Sequence, residues 1–291
     1  MARSFTIDPA AQHSGQPSSR TVLVTGAAGR IGSYFAQHSH EKYKLRLMVQ
    51  PGEEKAGDIA AFGEVVSADL SDLDRLKELC RGIDTVLHLA GDPDPSATWE
   101  SLLPNNIIGT YNILVAARSA GCRRVIYASS IHAVSGYPAD VQVKTDEPVN
   151  PGDLYGVSKC FGEALGRYMA EQEGLTVIAL RIGSFQPLEA GREENAIRML
   201  DSFVSQRDLN QLIEKSIDDE RLRFAIFQGV SDNRFKRLDI SDARELVGYQ
   251  PQDDLTELQP QLQDLNLNEK VITHNLSDSG QKSGIRNEAR C

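Results

Sequence analysis

A β-branched run that breaks into regularly spaced glycines fixes most of what this chain can become. Thr21-Val22-Leu23-Val24-Thr25 reads as a short buried strand. It passes into Gly26-Ala27-Ala28-Gly29-Arg30-Ile31-Gly32 and then into a helical stretch to about His38. Strand, glycine turn and helix, in that order, let the backbone turn tightly and approach a pyrophosphate, whose charge sits at the helix N-terminus. The spacing is G-x-x-G-x-x-G rather than the commoner G-x-G-x-x-G. A tight turn without ligand would use the same residues, but this context favours a dinucleotide. Gly26, Ala28, Gly29, Arg30, Ile31 and Gly32 are therefore candidate cofactor contacts.

Beyond this turn the chain alternates short apolar strands with helices. Strands are expected at Leu45–Val49, Glu64–Ser67, Asp84–Leu89, Arg124–Ala128 and Thr176–Leu180, with helices at about Leu102–Ala120 and Leu154–Glu173. Ser71 can cap a further helix running to Cys80. That alternation predicts an α/β fold, a Rossmann-type doubly wound parallel sheet with a small C-terminal cap. The expected organisation is a flexible tail over 1–20, a dinucleotide-binding domain over 21–180, a small substrate-binding cap over 181–255 interleaved with the main fold, and a polar tail over 256–291. Within the cap, short helices are expected at Asn195–Phe203, Leu209–Ile217 and Ser241–Leu246, and a strand at Arg223–Phe227.

Composition narrows the partners. The net charge of −10 argues against nucleic acid or an anionic membrane. No apolar run approaches the ~20 residues that span a bilayer, and Met1–Arg20 has no apolar segment of the kind that directs secretion. A cytoplasmic location is expected. The four cysteines have no metal-ligand spacing and are expected to be free thiols, and no metal is expected.

The chemistry is placed at Leu154-Tyr155-Gly156-Val157-Ser158-Lys159. Tyr155 and Lys159 lie four residues apart, on one helix face and one turn apart. An ammonium near a phenol favours the phenolate and lowers its pKa, so such a tyrosine can take a proton from a hydroxyl. Solvated helices often carry this pair by chance. Here a serine pair, Ser129-Ser130, ends the preceding apolar strand and delivers His132 to the same sheet edge. His88, at the end of an earlier strand, is expected to be packed rather than catalytic.

Thr25 to Gly32, Asp69-Leu70, His88-Leu89-Ala90-Gly91, Asn106 to Thr110, Ser129-Ser130 and Tyr155 with Lys159 together resemble the extended short-chain dehydrogenase/reductases, over about Thr21 to Pro251. Within that family, Asn106-Ile107-Ile108-Gly109, Ala128-Ser129-Ser130 with His132, Leu154 to Glu163, Arg181-Ile182-Gly183-Ser184 and Arg198-Met199-Leu200 resemble the uronate dehydrogenases. The resemblance implies oxidation of C1 of galacturonate or glucuronate to the aldarolactone, with NAD. It adds Asp69, Leu70, Leu89, Ala90 and Gly91 to the cofactor contacts. It places Ser130 and Tyr155 on the reacting C1 hydroxyl and Lys159 on the nicotinamide ribose. Asn106 supports Lys159 through a water, His132 and Ser184 line the sugar site, and Arg198 grips the C6 carboxylate. The two long helices resemble the pair through which relatives dimerise, which implies a homodimer or higher homo-oligomer.

The sequence departs from that pattern in three places. Val49 replaces an aspartate that holds the adenosine ribose, so discrimination against NADP is expected to be weak. Ile131 replaces an asparagine that contacts sugar. The Asp92-Pro93 loop replaces one carrying a sugar-binding serine, and with Ser231-Asp232-Asn233 and Gly248 to Asp253 it resembles archaeal NAD-dependent glucose-6-phosphate dehydrogenases. An aldose or glucose-6-phosphate 1-dehydrogenase is thus the alternative. A nucleotide-sugar epimerase or dehydratase ranks lower, because relatives of that kind hold their nucleoside diphosphate in a larger C-terminal domain. A non-catalytic cofactor-binding module also ranks lower, because such proteins often lose the tyrosine or lysine that is present here.

Overall fold

The computed structural model describes residues 4–8, 20–138, 141–192 and 196–258. The first half contains β1 (Phe5–Ile7), β2 (Thr21–Thr25), α1 (Arg30–Ser39), β3 (Lys44–Val49), β4 (Glu64–Ser67), α2 (Leu73–Leu79), β5 (Thr85–His88), α3 (Trp99–Leu102), α4 (Gly109–Ser119) and β6 (Arg124–Ser130). The second contains α5 (Leu154–Glu171), β7 (Thr176–Ile182), β8 (Ser184–Gln186), β9 (Phe203–Ser205), α6 (Gln206–Asp218), β10 (Leu222–Gly229) and α7 (Ser241–Val247).

Eight strands form one sheet in the order β1-β10-β7-β6-β5-β2-β3-β4. All neighbours are parallel except β1, which runs antiparallel to β10. The α/β doubly wound expectation holds. Its apolar runs are nearly continuous because both faces are covered. Val22, Val24, Leu87, Ile126 and Leu180 pack on the α1 and α6 side. Leu23, Val86, Val125 and Val177 pack on the α2, α4 and α5 side. The order reverses between β2 and β5, and Thr25 sits opposite His88 at their carboxyl ends. A crevice opens at such a point, where doubly wound sheets take their ligands. β8 and β9 form a separate two-stranded parallel ribbon, while β10 rejoins the main sheet.

Several local expectations change. Part of the expected tail over 1–20 belongs to the sheet: Phe5 to Ile7 pair with β10, and Ser4 and Arg20 are buried. Three residues carry too little pattern to be read as a strand, and only the waiting edge of β10 gives them one. Residues 1–3 and 9–19 of that stretch lie outside the described ones. Asp72, not Ser71, caps α2, accepting from the Arg75 N–H at 3.0 Å, while Ser71 bonds Asp69 instead. The long helix expected from Leu102 is interrupted by a π-helical segment, Leu103–Ile108, in which Pro104 lacks the N–H that an α-helix would use. The helix expected over Asn195–Phe203 is a 3₁₀ turn at Ala196–Met199 followed by β9, with Phe203 buried in the ribbon. Leu255–Leu258 forms another 3₁₀ turn with Leu255 buried, so the fold extends just past the expected end of the cap. The rest of the expected polar tail, 259–291, lies outside the described residues.

Candidate active site

The glycine turn builds one end of the crevice by leaving side chains out. Gly26 has φ +66°, and a Cβ there would lie 2.9 Å from the Ala90 amide nitrogen. A Cβ on Gly32 would lie 2.5 Å from the Gly26 carbonyl oxygen. The turn can therefore close against β5 and start α1 beside it only with glycine at both positions. Thr25 zips the two strand ends together. Its Oγ1 accepts from the Leu89 and Ala90 N–H groups at 3.2 Å and lies 2.8 Å from His88 Nδ1. His88 is fully buried, and burial pushes its pKa down to about 3. It is a neutral packing group, and below about pH 6.5 its desolvated ring costs the fold stability that is present at neutral pH.

The crevice is a cavity of about 990 Å³. One end is lined by Gly26, Ala28, Gly29, Arg30, Ile31 and Gly32 from the turn, Asp69 and Leu70 after β4, and Leu89, Ala90 and Gly91 after β5. Asp69 accepts from the Ser71 hydroxyl at 2.7 Å and N–H at 2.8 Å, and these bonds hold its carboxyl below the usual range. A close-approach backbone turn, the N-terminus of α1 and a cavity of this size fit a dinucleotide.

Ser130, His132, Tyr155, Lys159 and Ser184 line the other end. Ser130 ends β6, and its neighbour Ser129 turns the opposite way. Ser129 Oγ donates to Glu163 at 2.6 Å, and Glu163 takes a two-pronged contact from Arg181 at 2.8 and 2.9 Å. Ser129, Glu163 and Arg181 are buried structure. Tyr155 and Lys159 lie in the first turns of α5, which Asp153 caps by accepting from the Gly156 N–H at 2.7 Å. The other Asp153 oxygen lies 2.6 Å from His132 Nδ1. One buried carboxylate thus ties the start of α5 to the turn after β6. A Cβ on Gly156 would lie 2.3 Å from the His132 carbonyl oxygen, so that join also needs the glycine. The His132 ring meets the Tyr155 ring edge to face, with centroids 5.5 Å apart.

The electrostatics differ from the sequence expectation. Burial pushes the Tyr155 phenol up to about 12, against a hydrogen bond from Ser130 that pulls it down, while Asp153 and Asp92 add to the rise. Burial also lowers Lys159 to about 8, opposed by Asp92. Lys159 Nζ donates to the Ala128 carbonyl at 2.9 Å and lies 5.3 Å from the Tyr155 ring centre. Desolvation of the phenol therefore outweighs the depression expected from the ammonium.

Two expected residues stand outside the cavity lining. Asn106 is buried in the π-helical segment. Its Oδ1 accepts from the Asp92 N–H at 2.7 Å, and its Nδ2 donates to the Asp92 carbonyl at 3.0 Å and to Ser158 Oγ at 3.1 Å. Asn106 thus braces the loop after β5 against α5. Arg198 is exposed, whereas its neighbour Met199 lines the cavity. Successive residues of a 3₁₀ turn point about 120° apart, so the turn that brings Met199 inward carries Arg198 outward. Sequence reasoning misses Asp153 and also Ser202, whose hydroxyl lies 3.1 Å from that of Ser184. An aspartate after Pro151-Gly152 at a helix start is a legible cap signal, but its reach to His132 is not.

The model of the NAD dependent epimerase/dehydratase family matches residues 22–211. The NAD-dependent glucose-6-phosphate dehydrogenase of Haloferax volcanii is 35% identical over 250 residues, covering 81% of this chain and 94% of that protein. The uronate dehydrogenase of Agrobacterium fabrum is 35% identical over 234 residues, covering 80% and 85%. The crystal structure of uronate dehydrogenase from Agrobacterium tumefaciens superposes with a TM-score of 0.73 at 33% identity, over 84% of this chain and 89% of that one.

Proposed function

This chain belongs to the NAD dependent epimerase/dehydratase family, and we propose that it is an NAD-dependent sugar dehydrogenase that oxidises C1 of a uronate to the aldarolactone. The observation that carries this reading is the convergence of Ser130, Tyr155, Lys159 and His132 at one end of a cavity whose other end is the glycine turn. Its relatives include dehydrogenases named for uronate and for glucose 6-phosphate.

Gly26, Ala28, Gly29, Arg30, Ile31, Gly32, Asp69, Leu70, Leu89, Ala90 and Gly91 would hold NAD, with Tyr155 and Lys159 at its nicotinamide end. When bound, NAD supplies the hydride acceptor for C1. Tyr155, as phenolate, takes the proton of the C1 hydroxyl. Ser130 bonds Tyr155 and so favours the phenolate while the sugar is absent; once the sugar is bound, its one hydroxyl hydrogen is donated to the C1 oxygen instead. Lys159, while protonated, opposes the burial that keeps Tyr155 neutral and holds the nicotinamide ribose. Asn106 acts on Lys159 indirectly, by fixing Ser158 and the loop at Asp92. His132 and Ser184 contact sugar hydroxyls. A carboxylate can only accept, so His132 Nδ1 carries the proton in the bond to Asp153, which fixes how the ring meets the sugar.

One observation favours the alternative substrate, an aldose or glucose 6-phosphate: Arg198, the expected carboxylate clamp, is turned outward. A screen of uronates, neutral aldoses and hexose phosphates with NAD and NADP, read at the absorbance of reduced nicotinamide, decides between them. Turnover with uronates upholds the proposal. Turnover with hexose phosphates and none with uronates replaces it.

The enzyme is proposed to act as a homodimer. Pro104, Ile108 and Tyr111 on one helical face, at four- and three-residue intervals, and Val157, Ala164 and Tyr168 on the neighbouring α5, at seven- and four-residue intervals, leave apolar surface exposed. Such paired stripes suit a helix bundle between two copies. Light scattering that returns a monomer mass would reject it. A cytoplasmic location is proposed on the buried, unbridged Cys80 and Cys122. No helix among the described residues is long and apolar enough to cross a membrane.

A further inference from the structure

Val49 ends β3 at the place where a doubly wound dinucleotide fold commonly carries a ribose-binding acid, but a carboxylate reaches that edge by another route. Gln50-Pro51-Gly52-Glu53 is a type II turn: proline at the second position, Gly52 at φ +80°, and the Glu53 N–H donating to the Gln50 carbonyl at 3.2 Å. Such a turn brings its fourth residue back within ~7 Å of its first. Glu53 therefore returns to the strand end that Gln50 leaves, and it lines the cavity beside Val49, Gln50 and Asp69. The Lys55 N–H donates to Glu53 Oε1 at 3.2 Å, which fixes the carboxylate at the start of the 3₁₀ helix Glu54–Ile59.

Among the described residues, no arginine or lysine of the cavity lining is anchored at that corner. Among the described residues, Arg30 and Lys159 are the arginine and lysine that line the cavity. Arg30 donates to the Phe185 carbonyl at 2.7 Å and to Gln186 Oε1 at 2.5 Å, both on β8. Lys159 is held at the Ala128 carbonyl on β6. Both are anchored on the cap and catalytic side, away from the end of β3.

We propose that Glu53 is the residue that selects NAD over NADP. The inference rests on the reading of this cavity as the NAD site. The Glu53 carboxylate accepts from the adenosine ribose hydroxyls. A phosphate on the 2′ oxygen removes one of those donors and brings a doubly negative group against the carboxylate, with no lining cation to offset it. A turn that folds the acid back four residues later thus does what Val49 cannot. The cofactor preference is strong, contrary to what Val49 alone implies.

Calorimetric titration of the full chain with ADP-ribose and with 2′-phospho-ADP-ribose tests this without turnover. The wild type is expected to bind ADP-ribose at least about tenfold more tightly, the low end of the loss when a charged hydrogen bond goes unmade. Glu53→Gln keeps the size and the acceptor for Lys55, and it should narrow that preference several-fold, chiefly by tighter binding of the phosphorylated ligand. Glu54→Gln, which changes the adjacent exposed charge, should leave it intact. An unchanged preference in Glu53→Gln, or equal binding of the two ligands by the wild type, overturns the proposal for Glu53 alone. Failure of the wild type to bind ADP-ribose at all overturns the cofactor site, and this inference with it.

Discussion

The two ends of the cavity are made of different material. At the end proposed to hold the nucleotide the working parts, apart from the Glu53 carboxylate, are backbone, from three short segments that each come after a strand: Gly26–Gly32, Asp69-Leu70 and Leu89–Gly91. At the end proposed to hold the sugar they are side chains brought from separate places: Ser130 and His132 at and after the end of β6, Tyr155 and Lys159 on α5, and Ser184 of β8, which Ser202 contacts. The glycine turn at the first end works because side chains are missing, so it should tolerate no added volume and be indifferent to what the added atoms are. The second works through particular oxygens and nitrogens, so it should tolerate changes of size better than changes of chemistry.

The sharpest break is the smallest change of volume. Tyr155→Phe removes one oxygen and leaves the nucleotide end untouched. Turnover should fall on the order of 10²–10⁴-fold, the usual contribution of a general base, while calorimetric affinity for NAD stays within about twofold. The pH dependence has a fixed sign. Burial holds Tyr155 protonated up to about 12, so the phenolate fraction, and with it the single-turnover rate of C1 oxidation, should rise about tenfold per pH unit below that value. The rise should flatten above about 8, where Lys159 gives up its proton. A rate independent of pH between 6 and 8 would remove Tyr155 from the role of base.

The nucleotide end answers to size. Gly32→Ala places a methyl 2.5 Å from the Gly26 carbonyl oxygen, with rigid backbone on both sides. Overpacking of this kind costs about 1–3 kcal/mol. Affinity for NAD should drop roughly tenfold or more, and Gly32→Ser should drop it by the same amount although serine adds a hydroxyl. Recovery in the serine variant would mean that chemistry matters there too, and the contrast between the two ends would dissolve.

Asp153→Asn asks whether the sugar end responds to chemistry at constant size. Asparagine is as good a helix cap as aspartate, so the thermal midpoint should move little. Its amide would donate to His132 Nδ1 where the carboxylate accepts, and so exchange the tautomer of the ring. kcat/KM for the sugar should fall about tenfold, toward the low end of a charged hydrogen bond lost in a buried site, with NAD affinity unchanged. An equal fall in NAD affinity would make Asp153 a structural cap and nothing more.

The same division explains what can be read from the sequence. The glycine turn lies in one contiguous motif, and residues 21–32 are enough to place it, although the Ala90 backbone that makes Gly26 necessary comes 64 positions later, just after β5. The sheet is legible in the alternation of strands and helices, except β1, which exists only because β10 offers it an edge. Ser130, Tyr155 and Lys159 can be placed because each sits at a strand end or on a helix face. The contact of Asp153 with His132 spans 21 positions and leaves no pattern in the sequence. The carboxylate at the end of β3 escapes a sequence reading because it is four residues late, and only a proline–glycine turn returns it. The raised phenol of Tyr155 escapes it because burial depends on the whole fold, whereas the spacing to Lys159 is local.

Arg198 gives the smallest expected effect and the finest test. Its string, Arg198-Met199-Leu200, resembles a carboxylate clamp, yet the three residues occupy a 3₁₀ turn and its end. With about 120° between successive side chains, only one of them can face the cavity squarely. Met199 does so, Leu200 is buried, and Arg198 is exposed. An exposed ion pair or hydrogen bond contributes at most about 1 kcal/mol, so Arg198→Ala should lower kcat/KM for a uronate by no more than about fivefold. Met199→Ala, which changes the cavity wall itself, should alter KM for uronate and neutral sugar alike. If Arg198→Ala instead lowers the uronate rate by about a hundredfold and spares the neutral sugar, the turn must rotate when substrate binds. The sugar end would then be assembled by its ligand, while the glycine end is fixed beforehand.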